Sequence, residues 1–279
     1  VDLAWDEHGQ GEPVLCMHGF GMDRSVMAAA MEPVLGLRPG LRRIYVDLPG
    51  HGESPAGPPD SAGVADAVSA FISGPLGGGP VLLAGWSYGG YIAAALARRR
   101  PASVSGLLLI CAGDKLLPPG ARELPEPPGE PGPEHWLDDV PAGLRDHLAT
   151  AIGNRTAGVA QRVAAALTAS LPGDEEYLER LRSGGYQLPD EGDAARYAGP
   201  ACLLTGRQDR IGGYADQFRA LGAFPAASYS VVHEAGHYLP FEQPAAFRAL
   251  VLEWLDNRVT PVLQGRRPGS VRRPGSVRR

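Results

Sequence analysis

Ser87 stands in GWSYG (85–89), where the apolar run PVLLAGWS (80–87) gives way to an alanine-rich helical pattern. A serine on a strand-to-helix turn, with Gly two residues to either side, has the context of an activated nucleophile. Bulky side chains at 85 and 89 would collide across so sharp a turn, and the serine itself is expected to take strained backbone angles. The helix start would set backbone N–H groups beside the hydroxyl. MHGFG (17–21) follows the run PVLCMHG (13–19) and would turn the Phe20 amide toward the same point. The amides of Phe20 and Tyr88 would then form a two-donor oxyanion hole.

Such a serine needs a base and an acid to hold that base. GRQDR (206–210) places Asp209 at the end of the run ACLLTG, and EAGHYLPFEQP (234–244) places His237 after the run ASYSVVHEAG. Ser87, Asp209 and His237 follow one another in the Ser…Asp…His order of one triad class. Two rivals stay open at this level: Asp114, after the run SGLLLICAG (105–113), as the acid, and His233 as the base. His18 and His51 sit in glycine-rich turns and are expected to make local hydrogen bonds, while His8, His135 and His147 read as surface or lid residues. Trp86, Tyr88, Phe20, Met22 and Trp136 are the expected lining of an apolar substrate pocket.

The elements that must position these groups are legible as short apolar runs alternating with helical segments. The runs at 13–19, 42–50, 80–87, 105–113, 201–206 and 227–236 are continuously apolar, as strands buried on both faces are. LAWDEHG (3–9) alternates instead and reads as an antiparallel edge strand. Helices are expected near 62–73, 88–100, 213–222 and 243–257; the second ends in Arg98, Arg99 and Arg100 before Pro101, which suits a helix C-terminus. The result is an α/β fold, a mostly parallel central sheet flanked by helices with right-handed crossovers. The regularity breaks at 114–200. Residues 117–133 hold seven prolines, too many for a helix or a central strand, and helical patterns resume from Asp139, from Val159 and from Asp174. The chain is thus expected to divide into core 1–113, a helical cap or lid inserted between two strands at 114–200, core 201–258, and a basic, disordered tail at 259–279.

Composition narrows the partners. The 279 residues are 44% hydrophobic, enough for one large core, and no apolar run approaches the length of a membrane span. The net charge is −5, and residues 266–279, RRPGSVRRPGSVRR, carry six Arg and no acid; setting those six aside leaves −11 for the rest. An acidic body argues against nucleic acid as a partner. Cys16, Cys111 and Cys202 are odd in number and lie in apolar runs, so they read as small core residues. No Cys/His spacing suggests a metal site, and the chemistry calls for no cofactor. A cytoplasmic monomer or homodimer acting on a small-molecule substrate is expected, with a removed leader left open because the chain begins at Val1.

With these motifs in place, the chain resembles the α/β-hydrolase superfamily over about residues 1–258. GWSYG, MHGFG, GRQD and the His237 loop come in the family's order, and DLPGHGES (47–54) is similar to its D-x-P-G-x-G-x-S segment, read here as a structural turn. The resemblance favours Asp209 over Asp114, because the Gly-x-x-Asp turn matches the family pattern, and it places the cap where family members carry theirs. It implies acyl transfer from an ester through Ser87. Thioester, amide or C–C bond hydrolysis on the same triad remains an alternative, as does a non-hydrolytic ligand receptor or lyase. Epoxide hydrolases and haloalkane dehalogenases of the superfamily call for an Asp nucleophile, where this elbow has Ser.

Overall fold

Apolar side chains on both faces of the runs at 81–86, 104–110 and 201–206 exclude them from any surface position, and a sheet covered by helices on both sides is what satisfies them. The computed structural model describes residues 2–126, 132–191 and 193–266. In chain order its elements are β1 (Trp5–His8), β2 (Glu12–Met17), α1 (Arg24–Leu35), β3 (Leu41–Val46), α2 (Ser61–Ser73), β4 (Val81–Trp86), α3 (Tyr88–Arg99) and β5 (Val104–Ile110). Then come α4 (Ala142–Ala151), α5 (Ala157–Ala169), α6 (Glu175–Gly184), β6 (Ala201–Gly206), α7 (Tyr214–Arg219), β7 (Ala227–Val232), α8 (Leu239–Glu242), α9 (Pro244–Trp254) and α10 (Thr260–Arg266).

The seven strands form one sheet in the order β1-β3-β2-β4-β5-β6-β7. Only β1 is antiparallel, pairing Trp5 with Val46 through His8 with Arg43, as its alternating pattern required. The chain builds outward from β2 in one direction to β3 and in the other to β4. Loops leaving β2 and β4 therefore diverge at one point of the C-terminal edge, the place where open α/β sheets hold ligands. α2 and α3 pack together on one face, and α1 and α9 on the other. The helices α4, α5 and α6 interrupt the alternation between β5 and β6, and α5 rests on α1 and α8.

Two helices depart from the sequence expectation. α1 carries no clear sequence signal, because Pro33 lies inside it; Asp23 nonetheless caps it by accepting the amides of Ser25 and Val26, and Val26, Met27, Ala30, Met31 and Val34 form its buried stripe. At the other end a tail is expected from 259, yet a π-helical turn (Leu255–Val259) carries α9 into α10, which runs to Arg266. Trp254, Leu255 and Val259 are buried, and Gly106 of β5 leaves room for the side chains of Trp254 and Val259 to pack onto the sheet. Apolar contact, not the basic repeat, decides where this segment stops being core. The repeat from 267 onward, and residues 127–131 of the proline-rich stretch, lie outside the described residues.

Candidate active site

The turn at Ser87 is built by exclusion. Its φ of 52° and ψ of −117° are unfavourable for a residue with a side chain. A Cβ on Gly85 would sit 2.4 Å from the Gly89 carbonyl oxygen, and one on Gly89 would sit 2.4 Å from that of His18. No side chain fits at either place, so the two glycines of the motif are steric requirements of a strand running this directly into a helix. Ser87 is half-buried, while every other residue from 81 to 90 is buried. The fold thus exposes one hydroxyl from an otherwise closed strand and helix.

The loop leaving β2 approaches the same point. A Cβ on Gly19 would lie 3.3 Å from that of Ser87. Behind it, His18 is fully buried between the Gly19 carbonyl, 2.8 Å from Nδ1, and the Leu48 amide, 3.0 Å from Nε2. Burial lowers the ring to about 4, so it is neutral, with Nδ1–H donating and Nε2 accepting. Among the described residues the Phe20 amide joins no backbone hydrogen bond, and Tyr88 opens α3, where an amide has no intrahelical partner. His51, in the neighbouring turn, is pushed down to about 3, by burial and then by His18. Asp47 of that turn is fully buried, accepts the amides of Arg24 and Glu53 and pairs with the Arg24 guanidinium, the structural role expected of its segment.

His237 and Asp209 meet in the interior. Nδ1 of His237 lies 3.0 and 3.1 Å from the two carboxylate oxygens of Asp209, which is fully buried. Burial pushes the Asp209 carboxyl up, but the facing His237 ring and the amides of Gly212 and Ile211 outweigh it, and the group is held below its usual range. The two rivals are elsewhere. His233 is exposed beyond β7, beside Gln208, and Asp114 lies on a cavity wall without bonding to His237. The residue after β5 that does reach the pair is Cys111, expected only as a core residue: its φ is 48°, and its sulfur lies within 4.8 Å of ligand atoms of Asp209 and His237. All three cysteines are buried and free.

The loop holding His237 is tied down from three sides, by groups to which the sequence alone assigns no such role. Its amide donates to the Ala151 carbonyl at the end of α4, and its carbonyl accepts from the Trp86 indole at 3.0 Å. Glu242 of α8, 2% exposed, accepts four backbone amides: Gly153 at 2.7 Å, Asn154 at 2.9 Å, Gly236 at 2.9 Å and Tyr238 at 3.0 Å. One carboxylate thereby joins both neighbours of His237 to the turn between α4 and α5. No local pattern marks it, because two of its partners are main-chain groups some ninety residues away. Glu242→Ala strands these buried donors, each costing about 1–3 kcal/mol when unpaired. The variant is therefore expected to lose at least about 3 kcal/mol in urea unfolding, together with most of its turnover. Wild-type stability in that variant would show that the clamp carries nothing.

Ser87 and His237 open together onto a cavity of about 510 Å³, bounded by the segment after β5, by Tyr186, Glu191 and Asp193 to Arg196, and by α7. Its lining corrects the expected pocket. Trp86 is fully buried in the core cluster shared with α1 and α9, where it packs edge-on against Tyr238. Met22 is buried in the α1 face of the core. Trp136 packs at the edge of that same cluster, with the Arg155 guanidinium over its ring. The Phe20 and Tyr88 rings lie against each other and against Tyr186, outside the cavity lining except for Tyr186 itself. The wall instead carries Lys115, Arg122, Arg196 and Arg219 with Asp114, Glu191, Asp193 and Asp216, alongside the apolar Leu116, Leu117 and Ile211.

The sheet order, the serine turn and the buried Asp–His pair agree with the comparison to known families: a model of the alpha/beta hydrolase family matches residues 14–250, and the chain belongs to that family. Among curated relatives, it is 40% identical over 118 residues to the pimeloyl-[acyl-carrier protein] methyl ester esterase of Chromobacterium violaceum, covering 42% of this chain and 43% of that one. With the enzyme of the same name from Vibrio campbellii it is 34% identical over 118 residues, 41% of this chain and 42% of the other. The matched stretch is thus less than half the length of these relatives. An alpha/beta superfamily hydrolase of Oenococcus oeni superposes with a TM-score of 0.75 at 22% identity, over 91% of this chain and 95% of that one. A thermophilic esterase of Thermogutta terrifontis does so at 0.66 and 24%, over 91% and 92%. These two likenesses concern the fold. No described helix is long and apolar enough to cross a membrane.

Proposed function

We propose that this protein hydrolyses a carboxylic ester through an acyl-enzyme on Ser87. The observation that carries the reading is the strained, half-buried Ser87 sharing one cavity with His237, whose Nδ1 is held by the buried Asp209 carboxylate. His237 takes the Ser87 proton as the oxygen attacks the ester carbonyl. Asp209 keeps the ring in the tautomer with Nδ1 protonated and stabilises the cation that forms. The amides of Phe20 and Tyr88 receive the oxyanion, a pair of donors of which each is typically worth about 3–4 kcal/mol in the transition state. The alcohol leaves with the proton from His237. Water, activated by the same ring, then releases the acid and regenerates Ser87.

The names of the curated relatives support an ester as the scissile bond. The insertion at 114–200 serves as a cap, since Leu116, Tyr186 and Glu191 belong to it and line the cavity. A p-nitrophenyl acetate assay with enzyme at substrate-visible concentration tests the reading. A burst of about one nitrophenolate per chain, with a fluorophosphonate probe labelling Ser87 and blocking turnover, is the expected result. Unlabelled Ser87 in a protein that turns the ester over would overturn it.

A further inference from the structure

We propose that the cavity beside Ser87 is selective for an ester that also carries a carboxylate, which Arg122 and the Tyr186 phenol receive. The proposal rests on the ester-hydrolase reading and names its substrate class.

Arg122 is half-buried on the cavity wall and held in place without being neutralised. Its Nε donates to the Leu117 carbonyl at 2.8 Å and its Nη1 to the Ile211 carbonyl at 2.8 Å, one from each side of the cavity. Both acceptors are neutral. Among the described residues no carboxylate forms an ion pair with it, whereas Arg219, the next cation along the wall, is paired with Glu123 and Asp216. The acids nearby are engaged or at the rim. Asp216 also takes the Glu123 amide, and Glu191 accepts from the Tyr91 phenol and the Leu116 amide. Asp193 is exposed, and Asp114 is half-buried beside the exposed Lys115. That leaves a fixed guanidinium facing a sheltered space in a protein whose folded body is strongly acidic. Nη2 has no partner among the described residues, and a fixed, charged N–H donor of this kind is suited to a carboxylate oxygen.

Tyr186 supplies the second donor. Its ring stacks on Tyr88, the residue after the nucleophile, with centroids 5.1 Å apart and planes at 15°. This ties the phenol to the serine turn. Among the described residues no hydrogen bond uses its hydroxyl. Burial pushes that phenol up, while the charges of Arg122 and Arg182 pull the other way. It stays protonated at neutral pH and so can donate.

Two substrate pairs test this by kcat/KM. Monomethyl glutarate against methyl pentanoate puts the charge on the acyl side; carboxymethyl acetate against propyl acetate puts it on the alcohol side. The wild type is expected to prefer the charged member of one pair by at least about tenfold, the scale of a charge-assisted hydrogen bond, and that pair shows which side of the ester the subsite faces. In Arg122→Met the preference falls to near unity, and in Arg122→Lys part of it survives. If Arg122→Met does not fold, Tyr186→Phe is expected to cut the ratio about threefold. Ratios of one or less in the wild type for both pairs, or an unchanged ratio in the folded variants, would overturn the proposal. Calorimetry with monomethyl glutarate and with carboxymethyl acetate on Ser87→Ala protein separates this from the hydrolase reading. Binding of either that disappears in Ser87→Ala/Arg122→Met supports the subsite even where no ester is turned over, and binding of neither overturns it.

Discussion

Ser87→Ala is expected to fold as the wild type does and to lose on the order of 10⁶-fold in kcat on p-nitrophenyl acetate, as intact triads do without their nucleophile. Folding should survive because the strain at φ 52° belongs to the backbone turn, which Gly85 and Gly89 permit, and Ala adds no atom beyond the Cβ that Ser already has. The loss is large because the remaining His237 and Asp209 have no oxygen to activate. Residual turnover would come from the oxyanion amides and from binding, which still accelerate the reaction about 10³-fold over water. Circular dichroism and urea unfolding establish the fold, and steady-state kinetics on that same sample give the rate. A folded variant that keeps about a tenth of the wild-type rate would remove Ser87 as nucleophile.

Asp209→Asn should cost about 10⁴-fold, as the same exchange does in the serine-protease triad. The contacts of this carboxylate say why. Oδ1 accepts the amides of Ile211 at 2.9 Å and Gly212 at 2.8 Å, and those two bonds oblige an Asn side chain to keep its oxygen there. The NH₂ then takes the place of Oδ2 and donates to Nδ1 of His237, so the ring proton moves to Nε2. A ring in that tautomer cannot take the serine proton. Asp114→Asn, at the cavity wall, should stay within about tenfold of wild type, since no hydrogen bond to His237 is lost. Measuring both variants on folded protein decides between the two acids, and the reverse pattern would move the role to Asp114.

Much of the architecture was legible in the sequence because it depends on local demands. Strands buried on both faces must be apolar throughout, and an edge strand can alternate, so the sheet and the antiparallel β1 derive from runs of a few residues. The serine turn was legible for the same reason: a strand that meets a helix this directly leaves no room for a side chain at 85 or 89. The order of Ser87, Asp209 and His237 along the chain, each just past a strand, was also readable. Where local signals conflicted, as with Pro33 inside α1 or the basic repeat after α10, the sequence misled about the element's presence or extent.

The identity of the neighbours across the cavity was another matter. Trp86 ends β4 with its side chain in the core, whereas Ser87, one residue on, stands in the strained turn that faces the cavity. Asp209 and Asp114 both follow strands at the same sheet edge; the Gly-x-x-Asp turn favours the first, and the packed structure brings its carboxylate alone to His237. Glu242 acts on amides contributed by the turn at 153–154, and Arg122 is fixed by carbonyls at 117 and 211, contacts that exist only once β5, β6 and the inserted helices are assembled. By itself the sequence determined the sheet and the exposed serine, which are consequences of backbone sterics and apolar burial over short stretches. The charged groups on the cavity wall and the clamp on His237 were decided by the tertiary structure alone, because both arise from the directions of side chains brought together from distant parts of the chain.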